Sequence, residues 1–298
     1  MNDSTVTWGS LWNETATRVP RPQARWLCEV ASGHDGDEFL AILDRPAGQR
    51  AVAHLDSMLA RMDAGEPLQY VLGRWGFRHL DLMVDRRVLI PRPETETVVE
   101  VALQLARSMA FPIVCADLGT GSGAIGLSLA AELPMDRVTI WMTDSSADAL
   151  DVARANTVGI GRAAANVRAA QGDWFGALPQ ELRGQLALVV SNPPYVIDDD
   201  PDLEHLVRDW EPGAALFGGP DGLDAIRHIV DEARRWLRSD GWLVIEIGAG
   251  HGGGVADLLR EAGYDEVEIS ADLSGHDRVA TARRPALSGK TDRYLTEQ

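Results

Sequence analysis

The sequence predicts an α/β fold in which a doubly wound, mostly parallel sheet follows a small helical domain. From about Leu89 onward, apolar runs of strand length alternate with helical patterns, which is typical of parallel strands joined by helices. Two of these runs end in turns suited to a ligand, one rich in glycine and one rich in proline, as expected at the carboxyl ends of such strands. Before residue 75, apolar residues instead recur at helical spacing.

The first predicted domain covers residues 1–75 and is helical. Its helices are predicted over residues 21–30, 37–43 and 51–62. One face of the third helix carries an apolar stripe, which we interpret as core packing rather than as a ligand groove. The stripe consists of Val52, Leu55, Met58, Leu59 and Met62.

A linker and a second domain follow. Pro67 and Gly73 interrupt the helical pattern, and residues 76–88 are predicted to form a hairpin or an extended linker. The sheet domain is predicted over residues 89–285. Residues 286–298 are expected to form a polar tail.

The charge balance limits the partners of this chain. It carries 28 Lys and Arg against 45 Asp and Glu, which gives a formal net charge of −17. Such a charge works against general binding to the phosphates of nucleic acids, although a basic protein surface would be attracted. We therefore expect no direct contact with nucleic acid.

The cysteine and histidine content limits the compartment and the metal chemistry. The two cysteines, Cys28 and Cys115, fall in apolar segments and argue against a disulfide framework. Neither they nor the seven histidines show metal-ligand spacing, so no metal is expected. There is no apolar signal region at the N-terminus and no apolar run long enough to span a bilayer, and we expect a cytoplasmic protein without membrane contact.

A glycine-rich turn follows the first predicted strand of the sheet. The strand covers residues 113–116 and leads into residues 117–126, in which Gly121, Gly123 and Gly126 match the dinucleotide fingerprint. A helix that begins within this segment would place the turn at a helix N-terminus below a nucleotide-sized ligand. The fingerprint alone fits NAD and S-adenosylmethionine equally.

Two polar positions follow the next two strands. Asp144 ends the strand that begins at residue 138, where a carboxylate can accept both hydroxyls of an adenosine ribose. The alternative is that Asp144 only caps the helix predicted over residues 147–156. A strand over residues 167–170 precedes the pair Asp173-Trp174, which we interpret as the adenine side of the ligand site.

The segment Asn192-Pro193-Pro194-Tyr195 follows the apolar run 186–190 and indicates a site for an amino group. The two prolines make the turn stiff, and they remove N–H donors from it. The Asn192 side-chain oxygen and the Pro193 carbonyl can each accept one N–H from a planar amide or exocyclic amine, while the Tyr195 ring packs on the same group. Because such a nitrogen is a poor nucleophile, holding it in line with an electrophilic methyl group supplies what methyl transfer needs.

For this tetrapeptide alone, an ordinary strand-to-loop turn is the alternative. The order of the segments argues against that alternative. Successive strands are followed by the glycine loop, by Asp144, by Asp173-Trp174 and by Asn192–Tyr195. We call the last of these segments the clamp. Because a dehydrogenase has no use for the clamp, the sequence favours S-adenosylmethionine over NAD as the cofactor.

The chain resembles the glutamine N5-methyltransferases that modify class 1 peptide chain release factors, and the resemblance covers nearly the whole chain. Its most specific part is the segment Val88–Glu96, Val-Leu-Ile-Pro-Arg-Pro-Glu-Thr-Glu, which looks like the signature of that family. One departure is Trp75-Gly76-Phe77, where members of the family usually have a charged residue before the Phe. The other matching segments are Tyr70–Gly73, the glycine loop, Asp173–Phe175, Asn192–Tyr195, Glu211-Pro212, Gly219–Leu223 and Glu246–Gly248.

The resemblance implies a Rossmann-like fold of the class I S-adenosylmethionine-dependent methyltransferases, with an antiparallel edge formed by the last strands. It also implies roles for individual residues. Asp144 would hold the ribose, and Asn192 would touch both the methyl donor and the acceptor. The adenine would be held by Asp173 and Trp174, and the glutamine amide would be framed by Pro193, Pro194 and Tyr195. The methionine and sulfonium side would be lined by Gly119, Thr120, Gly121, Ser122 and Gly123.

The reaction implied by the resemblance is methyl transfer to the side-chain amide nitrogen, N5, of the glutamine in the Gly-Gly-Gln motif of peptide chain release factors. The helical domain would then recognise the protein substrate. One alternative is an amino-methyltransferase that acts on a ribosomal-protein glutamine or on an exocyclic amine of DNA or ribosomal RNA. The other is a non-catalytic S-adenosylmethionine-binding protein, against which the complete set of motifs argues.

Four charged residues have open roles. Glu94 and Glu96 either interact with the positive end of the helix predicted over residues 97–109 or belong to the site. Arg92 either faces the pocket or pairs with these glutamates. Glu246 lies in an apolar central strand, where a buried carboxylate is costly, and we expect it to support the substrate pocket.

Overall fold

The computed structural model describes residues 6–198, 200, 201 and 203–286. It divides into two compact units, Met1–Arg74 and Trp75–Gln298. The division falls beside the domain boundary predicted at residue 75. The predicted polar tail, residues 286–298, lies outside the described residues except for its first position.

The first unit is helical, as the apolar spacing predicts. The helix predicted over residues 37–43 is shorter than expected, because the chain leaves the helix at Ala41 and continues as a series of turns. Gly33 ends the second helix in the left-handed conformation, with φ of 71°, which glycine adopts without a steric penalty. The helices are α1 (Trp8–Thr15), α2 (Arg21–Ser32), α3 (Gly36–Leu40), α4 (Gln49–Asp63) and α5 (Leu68–Leu72).

The apolar stripe of α4 packs into the core of the first unit, as predicted. Leu55, Met58 and Leu59 are buried there against residues of α2 and α3. Trp8 and Trp12 both meet the Phe39 ring edge-on, at centroid distances of 6.3 and 6.0 Å. Val52 and Met62 complete the stripe as partly buried residues packed against the same cluster.

The second unit alternates strands and helices. A short hairpin formed by β1 (Arg74–Phe77) and β2 (Leu80–Met83) comes before the main sheet. The strands of the main sheet are β3 (Ile113–Leu118), β4 (Val138–Asp144), β5 (Val167–Gln171), β6 (Leu186–Ser191), β7 (Leu237–Glu246), β8 (Asp265–Ala271) and β9 (Asp277–Arg283). The helices are α6 (Thr95–Ser108), α7 (Ala124–Glu132), α8 (Ala147–Gly159), α9 (His205–Trp210), α10 (Asp224–Trp236) and α11 (Gly252–Glu261).

The main sheet has the doubly wound order β5-β4-β3-β6-β7-β9-β8. The first five strands in this order are parallel, whereas β9 runs antiparallel to both β7 and β8. The antiparallel edge implied by the resemblance is therefore confirmed. The order reverses between β3 and β6, and the carboxyl ends of the parallel strands meet at one edge, where open α/β sheets bind ligands.

Two apolar clusters cover the two faces of this sheet. One cluster contains α6 and α7 with Cys115 of β3, and the other contains α10 and α11 with Ala116, the next residue of the same strand. Because successive side chains of a strand point to opposite faces, β3, β4, β6 and β7 each supply both clusters, whereas the edge strand β5 supplies only the first. β6 is buried along its whole length, so the turn that follows it rests on a rigid strand. Among the described residues, no helix is both long and apolar enough to cross a membrane.

Candidate active site

The glycine-rich loop joins β3 to the start of α7. Gly119 has φ of 69°, and a Cβ atom there would lie 3.3 Å from Cζ3 of Trp174. Gly126 lies inside α7, where a Cβ atom would lie 2.7 Å from Cγ of Met142 on β4. The first glycine therefore leaves open backbone beside the indole, and the later one lets the helix pack closely on the sheet.

Asp117, at the carboxyl end of β3, is a site residue that the sequence reasoning did not single out. It is fully buried, and its Oδ2 accepts hydrogen bonds from Gly126 N at 2.8 Å and from the Thr120 hydroxyl at 2.5 Å. Burial raises the pKa of this carboxyl group to about 6, against the effect of those two donors. The signal was present in the sequence, because a charged residue ends an apolar strand directly before the glycine loop.

Asp144, at the carboxyl end of β4, faces the same loop. Its Oδ2 accepts from Gly121 N and its Oδ1 from Ser146 N, both at 2.9 Å. The helix-capping alternative does not hold, because Ser146 is the N-cap of α8 and its hydroxyl accepts from Ala149 N. Each carboxylate oxygen keeps a second lone pair for a ligand hydroxyl.

Asp173 and Trp174 follow β5 in a tight turn. Trp174 adopts the left-handed conformation with φ of 43°, which is uncommon for a bulky residue. The next residue, Phe175, is buried and stacks on Trp236 at a centroid distance of 5.8 Å. The buried phenyl ring holds the turn, and the indole is left beside Gly119.

A first pocket opens at the carboxyl ends of β3, β4, β5 and β6. Most of the predicted ligand residues line it, but Gly123, Pro193 and Tyr195 do not. A Cβ atom at Gly123 would lie 2.8 Å from Leu127, so this glycine serves the entry into α7. The predicted residues that line the pocket are Gly119, Thr120, Gly121, Ser122, Asp144, Asp173, Trp174, Asn192 and Pro194. The signature segment and its flank add Arg87, Val88, Leu89, Pro91 and Thr95.

A second pocket adjoins the first. It is lined by Tyr195, by Arg92 and by residues of α9 and the loops around it. The two pockets share Leu89, Asn192 and Ala215. Asn192 therefore lies where the two pockets meet.

The Asn192 amide is held on one side. Its Nδ2 donates to Oγ1 of Thr95, the first residue of α6, at 3.3 Å. Thr95 is buried, with 4 % of its surface exposed. In this orientation the Asn192 Oδ1 atom is left as an acceptor for a ligand.

Tyr195 contacts the buried Glu246 at the end of β7. The phenol donates to Glu246 Oε1 at 3.1 Å, which connects the predicted supporting carboxyl group to a residue that lines the second pocket. Burial raises the pKa of Glu246 to about 7, against the lowering effects of the Thr95 and Tyr195 hydroxyls and of the Arg278 charge. Burial, followed by the nearby Glu246 charge, raises the pKa of the Tyr195 phenol. Tyr195 is therefore a hydrogen-bond donor and not a base at neutral pH.

Arg92 pairs with a residue that the sequence reasoning did not consider. Its Nη2 donates to Glu211 Oε1 at 2.5 Å, and Ile90 N donates to Glu211 Oε2 at 3.1 Å. The Glu211 side chain is buried, with 2 % of it exposed. Its two hydrogen bonds hold the extended segment Val88–Glu96 in place. Glu96 has a structural contact, since its Oε1 accepts from Arg78 N in the hairpin at 3.0 Å.

Comparisons with known proteins agree with this geometry. Residues 103–208 match the Methyltransferase small domain model, and residues 12–73 match the PrmC N-terminal domain model. The chain is 43 % identical over 278 residues to a release factor glutamine methyltransferase of Xylella fastidiosa, covering 93 % of this chain and 98 % of that one. It is 37 % identical over 268 residues to the release factor glutamine methyltransferase of Escherichia coli K12, covering 90 % and 94 %. A methyltransferase structure from Pyrococcus furiosus shares the fold, with a TM-score of 0.50 and 17 % identity over 77 % of this chain and 99 % of that one.

Proposed function

The chain belongs to the family of release factor glutamine methyltransferases, and we propose that it methylates N5 of the glutamine in the Gly-Gly-Gln motif of a class 1 peptide chain release factor. The observation that carries this proposal is the position of Asn192 at the wall shared by the two pockets. A side chain in that position can touch a methyl donor on one side and an acceptor amide on the other.

S-adenosylmethionine is the cofactor of this class of enzymes, and when bound it supplies an electrophilic methyl group on a sulfonium. The first pocket fits it. We propose that the loop Gly119–Gly123 lies along the methionine and sulfonium side and that the Asp144 carboxylate accepts the ribose hydroxyls. Asp173 and Trp174 would hold the adenine, with the indole against the base.

The acceptor amide would enter through the second pocket. We propose that Asn192 Oδ1 and the Pro193 carbonyl each accept one N–H of the glutamine amide, while Pro194 and Tyr195 frame the flat group. These contacts hold the nitrogen in line with the methyl group, and positioning of this kind accounts for much of an enzymatic rate enhancement. When the bond from the methyl group to nitrogen replaces its bond to sulfur, the nitrogen would become strongly acidic and would release one proton to water, so the step would need no strong base.

The protein partner is supported by charge and by the helical unit. A net charge of −17 favours a basic protein surface over the phosphates of nucleic acid. We propose that the first unit recognises the release factor, since its helices form a separate core. Both cysteines are buried and unpaired, which supports a reduced, cytoplasmic site of action.

The test is mass spectrometry of a purified release factor after incubation with the protein and S-adenosylmethionine. A parallel substrate carries a replacement of the Gly-Gly-Gln glutamine. We expect one added methyl group on that glutamine and none on the replaced substrate. If the protein binds S-adenosylmethionine but leaves the glutamine unmodified, the proposal is wrong, and ribosomal proteins and then nucleic acids become the candidate substrates.

A further inference from the structure

We propose that Thr95 and Glu246 are positioning residues that fix the Asn192 amide with its oxygen toward the acceptor glutamine. The inference rests on the proposed function, because it concerns how the clamp for the glutamine amide is oriented. Neither residue needs to touch the reacting atoms. Thr95 acts through Asn192, and Glu246 acts through Thr95 and through Tyr195.

The first step is the contact between Asn192 and Thr95. Asn192 Nδ2 donates to Thr95 Oγ1 at 3.3 Å. If the amide were reversed, its NH₂ group would face the NH₂ group of the substrate, and two sets of donors would meet without an acceptor. The clamp therefore works in one of the two amide orientations, and the Thr95 oxygen must act as an acceptor to favour it.

The second step concerns the hydrogen of the Thr95 hydroxyl. A hydroxyl has one hydrogen, and when its oxygen accepts from Asn192 that hydrogen must go elsewhere. Glu246 is the neighbour that can take it, because its Oε2 atom is buried and has no hydrogen-bond partner in the part of the chain that the structure describes. The Thr95 hydroxyl also lowers the pKa of this carboxyl group. The Tyr195 phenol donates to Oε1 of the same carboxyl group at 3.1 Å. An ionised carboxylate is a pure acceptor, so its Oε1 atom can accept from Tyr195 while its Oε2 atom accepts from Thr95.

The third step is burial. Glu246 is fully buried and Thr95 is 4 % exposed, so little water is available to replace these contacts. The charged and titratable groups that face Glu246 are Tyr195, Arg278 and Glu94. Arg278 is held in place by its bond to Asp272 Oδ2 at 3.2 Å. The hydroxyl directions are therefore set by Glu246 and not by bulk solvent.

The experiment measures turnover, cofactor affinity and thermal unfolding for four variants of the full chain. Thr95→Val keeps the shape and removes the hydroxyl, whereas Thr95→Ser keeps the hydroxyl. Glu246→Gln keeps the shape but adds a donor. Thr281→Val, on β9, is the matched control for loss of a buried threonine hydroxyl.

We expect Thr95→Val and Glu246→Gln to lower kcat by about 10- to 100-fold, as small displacements of a reacting group do. The dissociation constant for S-adenosylmethionine should change little, and Thr95→Ser should recover most of the lost turnover. Thr281→Val should keep the unmodified rate. If Thr95→Val folds and keeps its turnover, or if Thr95→Ser gives no rescue, the inference is wrong.

A double-mutant cycle tests whether Thr95 acts through Asn192. In the Asn192→Ala background, Thr95→Val should lower kcat by less than about twofold, because no amide remains to be oriented. A purely structural role of Thr95 would instead give the same loss in both backgrounds, and that outcome would refute the inference. If Thr95→Val fails to fold, the same cycle with Glu246→Gln decides.

The pH profile gives an independent readout. Burial raises the pKa of Glu246 to about 7, so the carboxyl group is protonated in mildly acidic solution and can then donate to Thr95. Turnover of the unmodified protein should rise with pH through this ionisation, and Glu246→Gln should lack the rise. A profile that is the same in both proteins would count against the inference. Activity of the unmodified protein is measured first, because its absence contradicts the proposed function and not this orientation alone.

Discussion

At the scale of single residues, the site depends on acceptors that are fixed before any ligand arrives. Asn192 follows a completely buried strand, and its amide nitrogen donates a hydrogen bond to Thr95, which leaves the amide oxygen as the free acceptor. The Asp144 oxygens are bonded to backbone N–H groups of the glycine loop and of the turn before α8. Such groups require little reorganisation during the reaction, which is the main requirement for electrostatic catalysis.

Replacing Asn192 by alanine should reduce kcat by about 10²- to 10³-fold, as removal of a single fixed polar group in an active site does. The dissociation constant for S-adenosylmethionine should change much less, because the glycine loop, Asp144 and Trp174 remain. Steady-state kinetics and calorimetric titration measure the two quantities. Asn166→Ala, at a residue outside both pockets, is the control, and an Asn192→Ala enzyme with normal turnover would contradict the clamp.

The Glu246 carboxyl group should also make stability depend on pH. Its pKa is raised from 4.5 to about 7, so the folded state binds the proton more tightly than the unfolded state does. The stabilisation is complete below about pH 4.5 and is lost as pH rises through 7, by up to about 3 kcal/mol. Urea unfolding of the unmodified protein and of Glu246→Gln between these pH values measures the difference. Because the Asp117 titration is present in both proteins, it cancels, and a constant difference would contradict the assignment.

The residues predicted from motifs that lie within single segments come together in the structure. The glycine loop, Asp144, Trp174 and Asn192 were predicted from sequence and line one pocket. The bonds from Asn192 to Thr95 and from Arg92 to Glu211 join residues 97 and 119 positions apart, so no local pattern could reveal them. Arg92 was expected either to face the pocket or to pair with Glu94 and Glu96; it lines the second pocket, and its ion-pair partner is the buried Glu211.

At the scale of secondary structure, the close packing of α7 on β4 depends on the absence of a side chain at Gly126. A Cβ atom at position 126 would lie 2.7 Å from Met142 Cγ and 2.9 Å from Asp117 Oδ2. We expect Gly126→Ala to lower the free energy of unfolding by about 1–3 kcal/mol. Cofactor binding should weaken as well, because Asp117 holds the glycine loop.

The control for this substitution is Gly253→Ala, in the first turn of α11. A Cβ atom there would have, apart from its chain neighbours and the adjacent backbone of its own helix, no described heavy atom within 4 Å. That variant should gain about 0.5–1 kcal/mol, because alanine favours the helix over glycine. Urea unfolding of both variants separates a local clash from a general effect of alanine, and equal changes in the two would contradict the packing argument.

The segment Val88–Glu96 is held in place by an ion pair, Arg92–Glu211, whose two side chains differ in burial. The Glu211 side chain is 2 % exposed, whereas that of Arg92 is 33 % exposed. Arg92→Met leaves a buried carboxylate without its cation and should cost about 2–4 kcal/mol, whereas Glu211→Gln leaves a solvated guanidinium and should cost less. Thermal unfolding of the two variants measures this order, and the reverse order would show that Glu211 is not the costly partner.

Periodicity predicted the elements of the fold well, and their ends less well. The helices over residues 21–30 and 51–62 are confirmed, because a stripe of buried side chains leaves a clear helical pattern. The helix predicted from residue 97 begins at Thr95, since the positions after Pro93 carry polar side chains that periodicity does not count. The antiparallel pairing of β8 and β9 was implied only by the family, because the sequence of one strand does not show whether it pairs parallel or antiparallel to its neighbour.

At the scale of the whole molecule, the net charge of −17 should influence encounter with the substrate. The KM for a basic release factor should rise several-fold between about 0.05 and 0.5 M NaCl, since the Debye length falls from well over 10 Å to below 5 Å. A short uncharged Gly-Gly-Gln peptide should show no such rise. Methylation rates at several salt concentrations measure the effect, and equal salt dependence for both substrates would exclude long-range attraction.

The paired acceptors of the clamp also limit how many times one nitrogen can react. In the proposed clamp, an unmodified glutamine amide brings two N–H groups, one for Asn192 and one for the Pro193 carbonyl. After one transfer a single N–H remains, and an acceptor left without a partner in a buried site costs about 1–3 kcal/mol. The methylated amide also has to place its new methyl group where a hydrogen was bound. If the clamp holds the amide as proposed, the singly methylated product binds more weakly than the substrate, and we expect that dimethylated glutamine does not accumulate.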